Sequence, residues 1–377
     1  GVLLVNLGGF SLYYFMDDPA RAALPSAGVD RWAGLLVQIF VQDKALTLFS
    51  LLFGLGVAIQ VRQAQTKGAG IGPILRRLAV LLAIGLLHAH LFWWGDILAI
   101  YALLAFGLIL LRRLPDWCFL IAGLGLGLFW FLLAPIAEWL KPGDWREQAR
   151  VYADAFTVFS GDDAAATLRQ NVAVAHWMWL DMWGVFPFVF ARFMLGYWIG
   201  RKYLLQDPAA HRRLLRATLI VCGGLGLAAA IAIEWIDAAR LPESVLHGDR
   251  FSEYGLRLLR RIGPLGMGLA YAAGFALLFL RPGWQRWLRL LAPAGRMALS
   301  NYLIQTVVCL WLFYGIGLGI GSSGGYAARL LVWALLFGTQ MALSHWWLAR
   351  FRLGPLEWLW RSLAERRRLP LRASRTG

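Results

Sequence analysis

The densest group of chemistry-bearing residues is a short apolar hairpin, Gly85-Leu86-Leu87-His88-Ala89-His90-Leu91-Phe92-Trp93-Trp94-Gly95-Asp96-Ile97-Leu98. Ionisable groups inside apolar segments are costly and default to functional roles. His88 and His90 are two apart, so on a helix they point to different faces. They do not form a two-histidine metal clamp, which needs a spacing near four. Asp96 opens the next helix. A carboxylate there suits the positive end of the helix dipole and caps it. The same carboxylate can orient His88 across the hairpin, fixing the imidazole tautomer and raising its basicity, as a general base requires. Two readings stand: His88 as general base with Asp96 as its partner, or a helix cap with a structural hydrogen bond.

Other polar residues recur where they are expensive. Asp43-Lys44 opens an apolar run through Thr47, Ser50 and Gly54. Lys44 either snorkels to the interface or faces an internal cavity. Asp181 and Arg192 lie eleven residues apart in one predicted span. That is about three turns, so they share a face about 16 Å apart and cannot pair. Arg192 is deep and needs a polar interior, an anion or a carboxylate such as Asp96. The stretch Arg296 to Thr306 carries Ser300, Asn301, Tyr302 and Gln305. Asn301 and Gln305 are four apart and share a face. They form either helix–helix hydrogen bonds or the wall of a substrate cavity.

The elements that must position these residues follow from composition. The 377 residues are 59% hydrophobic and only 15% charged, against about 25% charged in a soluble domain. Mean hydropathy is +0.59. The expected fold is an all-α, polytopic transmembrane helix bundle of about ten spans: 1–16, 37–61, 74–93, 96–112, 117–138, 181–203, 214–235, 262–280, 297–319 and 327–348. The run from Gly1 to Met16 is shorter than the roughly 20 residues a span needs, which predicts a truncated first span.

Net charge is +16 and the isoelectric point about 10.5. The basic residues sit in short clusters between apolar runs, as the positive-inside rule produces, so no nucleic-acid partner is expected. The partner is the lipid bilayer. Arg62, Lys67, Arg76 and Arg77, then Arg112 and Arg113, then Arg201 to Arg216, then Arg281 to Arg289, then the tail all fall on one side of alternating spans. That side is taken as cytoplasmic, with both termini there. Outer loops are expected at about 139–180, with a surface helix around Tyr152, Phe156 and Phe159, and at about 236–261. Residues 1–350 form the membrane domain. Residues 351–377 form an interfacial helix opened by Gly354-Pro355, then a basic tail suited to anionic lipid. Cys118, Cys222 and Cys309 lie in apolar runs without metal-ligand spacing, so no metal site is expected.

These stretches resemble the YeiB-like bacterial membrane proteins, known as domain of unknown function 418. The resemblance runs through Leu4-Val5-Asn6, Lys44 with Phe49-Ser50-Leu51-Leu52-Phe53-Gly54, and His88 with Gly95-Asp96-Ile97-Leu98 and Tyr101. It continues through Gly295-Arg296-Met297-Ala298-Leu299 with Asn301, Tyr302 and Gln305, and ends at Gly354-Pro355-Leu356-Glu357-Trp358 with Arg361. The family is distantly similar to the transmembrane acyltransferases, which include bacterial membrane O-acyltransferases and the lysosomal heparan glucosaminide N-acetyltransferase. The resemblance implies location in the bacterial inner membrane. It also implies acyl transfer from a cytoplasmic donor, often acyl-CoA as co-substrate, to a glycan or lipid-linked acceptor on the far side. The carry-over is of reaction class and not of residue. On this reading His88 and Asp96 are catalytic. Lys44, Ser50, Tyr101, Arg192, Asn301, Tyr302 and Gln305 line the cavity, and Arg76, Arg77 and Arg296 meet donor phosphates. The alternatives are a transporter of a small polar or anionic solute, whose path the same charges would line, and a non-catalytic membrane scaffold.

Overall fold

The structure, a computed structural model, describes residues 1–133, 145–181, 185–239, 250–321 and 323–372. Parts of the expected outer loops, 139–144 and 240–249, and the end of the expected basic tail, 373–377, lie outside these. The described chain is helical, and one isolated antiparallel bridge pairs Phe351 with Arg372.

A short helix, Val2–Phe10 (α1), leads into Ala27–Phe40 (α2) and Lys44–Thr66 (α3). The predicted second span is thus the later part of a longer helical segment. That segment is interrupted at Asp43, whose φ of 60° lies in the left-handed region. Gly72–Leu91 (α4) begins with Pro73 in its first turn, where proline's missing amide is no loss. Leu98–Leu110 (α5) and Asp116–Phe129 (α6) follow.

Trp145–Ser160 (α7) is the expected surface helix, but it is not a free one. Ala155 and Phe159 are fully buried in a cluster with Leu7, Phe10, Trp93 and Trp94. Ala164–Asp181 (α8), Val185–Arg201 (α9), Arg212–Ala238 (α10) and Arg250–Phe279 (α11) complete the middle of the chain. The C-terminal part comprises Pro282–Arg289 (α12), Ala292–Arg296 (α13), Ala298–Phe313 (α14), Gly325–Leu348 (α15) and Pro355–Glu365 (α16).

Among the described residues six segments are long and apolar enough to cross a membrane: Ala27–Thr66, Gly72–Leu91, Asp116–Leu133, Arg212–Ala238, Ser252–Phe279 and Gly325–Leu348. The bent pair Ala164–Leu180 and Val185–Arg201 makes a seventh if counted as one span. The remaining expected spans are built by shorter helices. The 13 residues of α5 reach about 20 Å at 1.5 Å per residue, well short of a hydrocarbon core of about 30 Å.

The bend at α8–α9, 66°, overturns one expectation. Asp181 ends α8 while Arg192 lies in α9. The two are not on one helix, so they share no helical face.

Close backbone approaches knit the bundle. A Cβ on Gly54 of α3 would strike the Phe193 carbonyl oxygen of α9, and one on Gly196 of α9 would strike the Leu51 carbonyl oxygen. In membranes such contacts supply the packing that a hydrophobic driving force cannot. A methyl group on Gly56, two residues on, would meet nothing within 4 Å. Gly54→Ala is therefore expected to cost about 1–3 kcal/mol by overpacking, while Gly56→Ala is expected to be neutral or stabilising by up to about 1 kcal/mol. Thermal unfolding of the two purified variants in detergent checks this; equal unfolding temperatures would contradict the packing account.

Candidate functional site

The hairpin between α4 and α5 brings the two leading residues together. His88 Nδ1 lies 2.8 Å from Asp96 Oδ1, and His88 Nε2 lies 2.9 Å from Thr306 Oγ1 on α14. Asp96 Oδ2 accepts the Ala99 amide at 2.9 Å. One carboxylate therefore both caps α5 and holds the imidazole. Tyr302, one turn before Thr306, donates to Asp96 Oδ1 at 3.5 Å. The histidine ring is flanked by Tyr302, with centroids 5.3 Å apart, and by Phe92, stacked at 6.2 Å. His88 is 3% exposed and Thr306 is fully buried. An imidazole held at one nitrogen by a carboxylate and facing a hydroxyl with the other has the geometry of a general base. His90 is not part of this group; its Nδ1 meets the Leu86 carbonyl one turn back.

The hairpin itself is held by Asn171 of α8, which the sequence reading did not single out. Its Oδ1 accepts the Trp94 amide at 2.8 Å, and its Nδ2 donates to the carbonyls of Ala89 and His90, both at 2.9 Å. The available signal was an amide at the head of the run Asn171-Val172-Ala173-Val174-Ala175. Thr306 carried a weaker signal, one helical turn beyond Tyr302. Beside Trp94, a cavity of about 340 Å³ is lined by Tyr14, Phe15, Trp94, Tyr152, Val174 and Met178.

The other expected cavity residues divide. Ser50 and Tyr101 form a buried hydroxyl pair, oxygens 2.6 Å apart, with Ser50 also donating to the Leu46 carbonyl. Lys44 is buried and donates to the Gln38 carbonyl at 2.7 Å, so it does not snorkel. Asn301 and Gln305 join α14 to α15. Asn301 donates to Ser344 Oγ at 3.1 Å, Gln305 donates to Gln340 Oε1 at 2.6 Å, and Gln340 returns a bond to the Asn301 carbonyl at 3.0 Å. Their amides thus bond helix to helix, the packing alternative. Arg192 lies apart from this group, between α3 and α9, with Nε donating to Thr47 Oγ1.

The expected phosphate-binding arginines are engaged with the C-terminal helix. Arg76 Nε donates to the Ala364 carbonyl, Arg77 pairs with Glu365 at 3.1 Å, and Arg296 donates to the Arg352 carbonyl. Burial, followed by the charge of Arg77, holds the neighbouring Arg361 below the usual arginine range, opposed by Glu357 and Glu365; Arg296 lowers it further. Glu357 of α16 reaches the start of α14. It accepts the amides of Leu299 and Ser300 at 2.7 and 3.0 Å and the Ser300 hydroxyl at 2.5 Å. It therefore anchors the helix that carries Tyr302 and Thr306. Among the described residues no three His, Cys, Asp or Glu side chains are grouped to hold a metal.

Replacing Asn171 by Ala strips three backbone groups of the hairpin of their side-chain partner. Each buried group left unmet costs about 1–3 kcal/mol, so a clear fall in thermal unfolding temperature is expected. An unchanged temperature would show that the hairpin holds without the amide.

A family model described as "Protein of unknown function (DUF418)" matches residues 199–367. The chain is 29% identical to uncharacterized protein YxaH of Bacillus subtilis (strain 168), over 96% of this chain and 90% of YxaH. It is 29% identical to uncharacterized protein YeiB of Escherichia coli (strain K12), over 97% of this chain and 93% of YeiB. An uncharacterized 39.9 kDa protein in the amylase 3' region of Bacillus acidopullulyticus is 25% identical over 98% of this chain and 92% of its own length. No solved structure matches. The DUF418 match over residues 199–367 and the near full-length similarity to YeiB and YxaH, together with the all-helical architecture, support a place in a YeiB-like DUF418 family.

Proposed function

We propose that this protein is a membrane-embedded acyltransferase, moving an acyl group from a cytoplasmic donor to an extracytoplasmic or lipid-linked acceptor. The observation that carries this reading is the Asp96–His88–Thr306 line. With the Nδ1 proton donated to Asp96, Nε2 presents its lone pair to a hydroxyl. An acceptor hydroxyl brought to the Thr306 position gives its proton to Nε2 as its oxygen attacks the donor thioester. The imidazolium, stabilised by Asp96, then returns that proton to the departing thiolate.

Phe92 stacks on the imidazole and is 46% exposed, so it lies between His88 and the outside of the bundle. This favours a lipid-linked acceptor approaching sideways. At the expected cytoplasmic end, the nearness of Arg77 and of Arg296 to Arg361 suits the phosphates of acyl-CoA, the co-substrate expected. The Lys and Arg asymmetry supports the bacterial inner membrane with both ends of the chain cytoplasmic, in keeping with bacterial relatives.

The test uses the full chain in proteoliposomes supplied with labelled acetyl-CoA, counting label in the lipid and acceptor fractions. His88→Ala and Asp96→Asn are each expected to lower transfer by about 100-fold or more. No transfer above empty liposomes, or wild-type transfer by His88→Ala, would sink the proposal. Solute uptake that survives His88→Ala would favour a transporter instead.

A further inference from the structure

Arg192 takes no part in the His88 cluster, yet it is the largest fully buried side chain. Its guanidinium lies over the Phe188 ring, 3.5 Å from the centroid. Nε donates to Thr47 Oγ1 at 3.4 Å and Nη1 to the Phe188 carbonyl at 3.0 Å. Nη2 has no hydrogen-bond partner among the described residues. A guanidinium does not shed its charge inside a protein. Left without a contacting anion in a low-dielectric interior, it is strongly unfavourable.

The charges around it do not balance. Arg192 shares its surroundings with Arg261 and Asp43, and Asp43 in turn faces Lys44, which faces Glu234. Among the described residues, Lys44, Arg192 and Arg261 thus stand against Asp43 and Glu234, leaving one positive charge over. Lys44 already spends its ammonium on the Gln38 carbonyl. Thr47 accepts from Arg192, which leaves its own proton to donate. Asp43 is exposed at the α2–α3 break and holds the left-handed φ of 60°. Such local backbone strain in a non-glycine residue clusters at functional sites.

We infer that Arg192 anchors an oxyanion site, in which Nη2 and the Thr47 hydroxyl bind the carboxylate or phosphate group of a ligand entering past Asp43. Both donors suit that chemistry, and a guanidinium is the side chain best matched to a planar or tetrahedral oxyanion. The site shares no residue with the acyl-transfer line and stands or falls without it.

The full chain, purified in detergent, is titrated with inorganic phosphate, acetate and a short-chain phosphatidic acid, against chloride at matched ionic strength. A saturable rise in unfolding temperature beyond the chloride control is expected with at least one oxyanion. Response to phosphatidic acid alone assigns the oxyanion to a lipid headgroup; response to phosphate or acetate assigns it to a free ligand. Arg192→Gln is expected to weaken the apparent affinity about tenfold or more, the loss of a charge-assisted hydrogen bond. Arg329→Gln, which removes a second buried guanidinium with an unpartnered Nη2, should leave the affinity unchanged. If Arg192→Gln does not fold, Thr47→Val reads the same site with the charge kept. No response to any oxyanion, wild-type affinity in Arg192→Gln, or, where that variant is unfolded, wild-type affinity in Thr47→Val overturns the inference.

Discussion

A chain that reverses direction inside a bilayer must find its hydrogen bonds within the protein, because hydrocarbon offers none. At the turn from α4 to α5 those bonds come from two side chains. Asp96 caps α5 through the Ala99 amide, and Asn171 answers the Trp94 amide and two carbonyls at the end of α4. Each makes the reversal tolerable. Asp96 also leaves one oxygen free, and that oxygen holds His88. The Asp96–His88 pairing is thus a by-product of solving a backbone problem with a carboxylate.

The same solution recurs at the start of α14. Glu357 accepts two amides at the start of α14, where the helix dipole favours negative charge. It comes from α16, which also seats its Trp360 indole on the Arg77 carbonyl of α4. The C-terminal helix therefore grips both helices that meet at the candidate site, α4 with His88 and α14 with Thr306. Short helices such as α5 and α14 need this support, since neither is long enough to be defined by the membrane thickness alone.

Buried arginines are handled differently. Arg192 lies over Phe188, and Arg329 lies between the rings of Tyr13 and Tyr326 at 3.8 and 3.7 Å. The ring quadrupole stabilises a cation without supplying a counter-charge. Arg329 stays within reach of several tyrosine oxygens and of Asp30. Among the described residues Arg192 has Asp43 as its one nearby carboxylate, and Asp43 is shared with Lys44 and Arg261.

The sequence alone determined the helical, membrane-compatible class, because apolar excess and Lys/Arg clustering are properties of composition and order. It also placed His88 and Asp96 together, since eight residues and one tight turn leave little freedom. The Gly-Pro start of α16 was legible for the same local reason. What joins distant segments was decided by tertiary structure. Thr306 is 218 residues from His88, and Asn171 is 77 from Trp94. No periodicity links such pairs, because their meeting depends on how helices rotate and slide in the bundle. Asn301 and Gln305 show the limit well: their shared face was readable, but whether it met a cavity or α15 was not. Asp181 and Arg192 show it from the other side, since α8 and α9, which carry them, lie at 66° to each other. Side-chain spacing is informative only while the helix that carries it is unbroken.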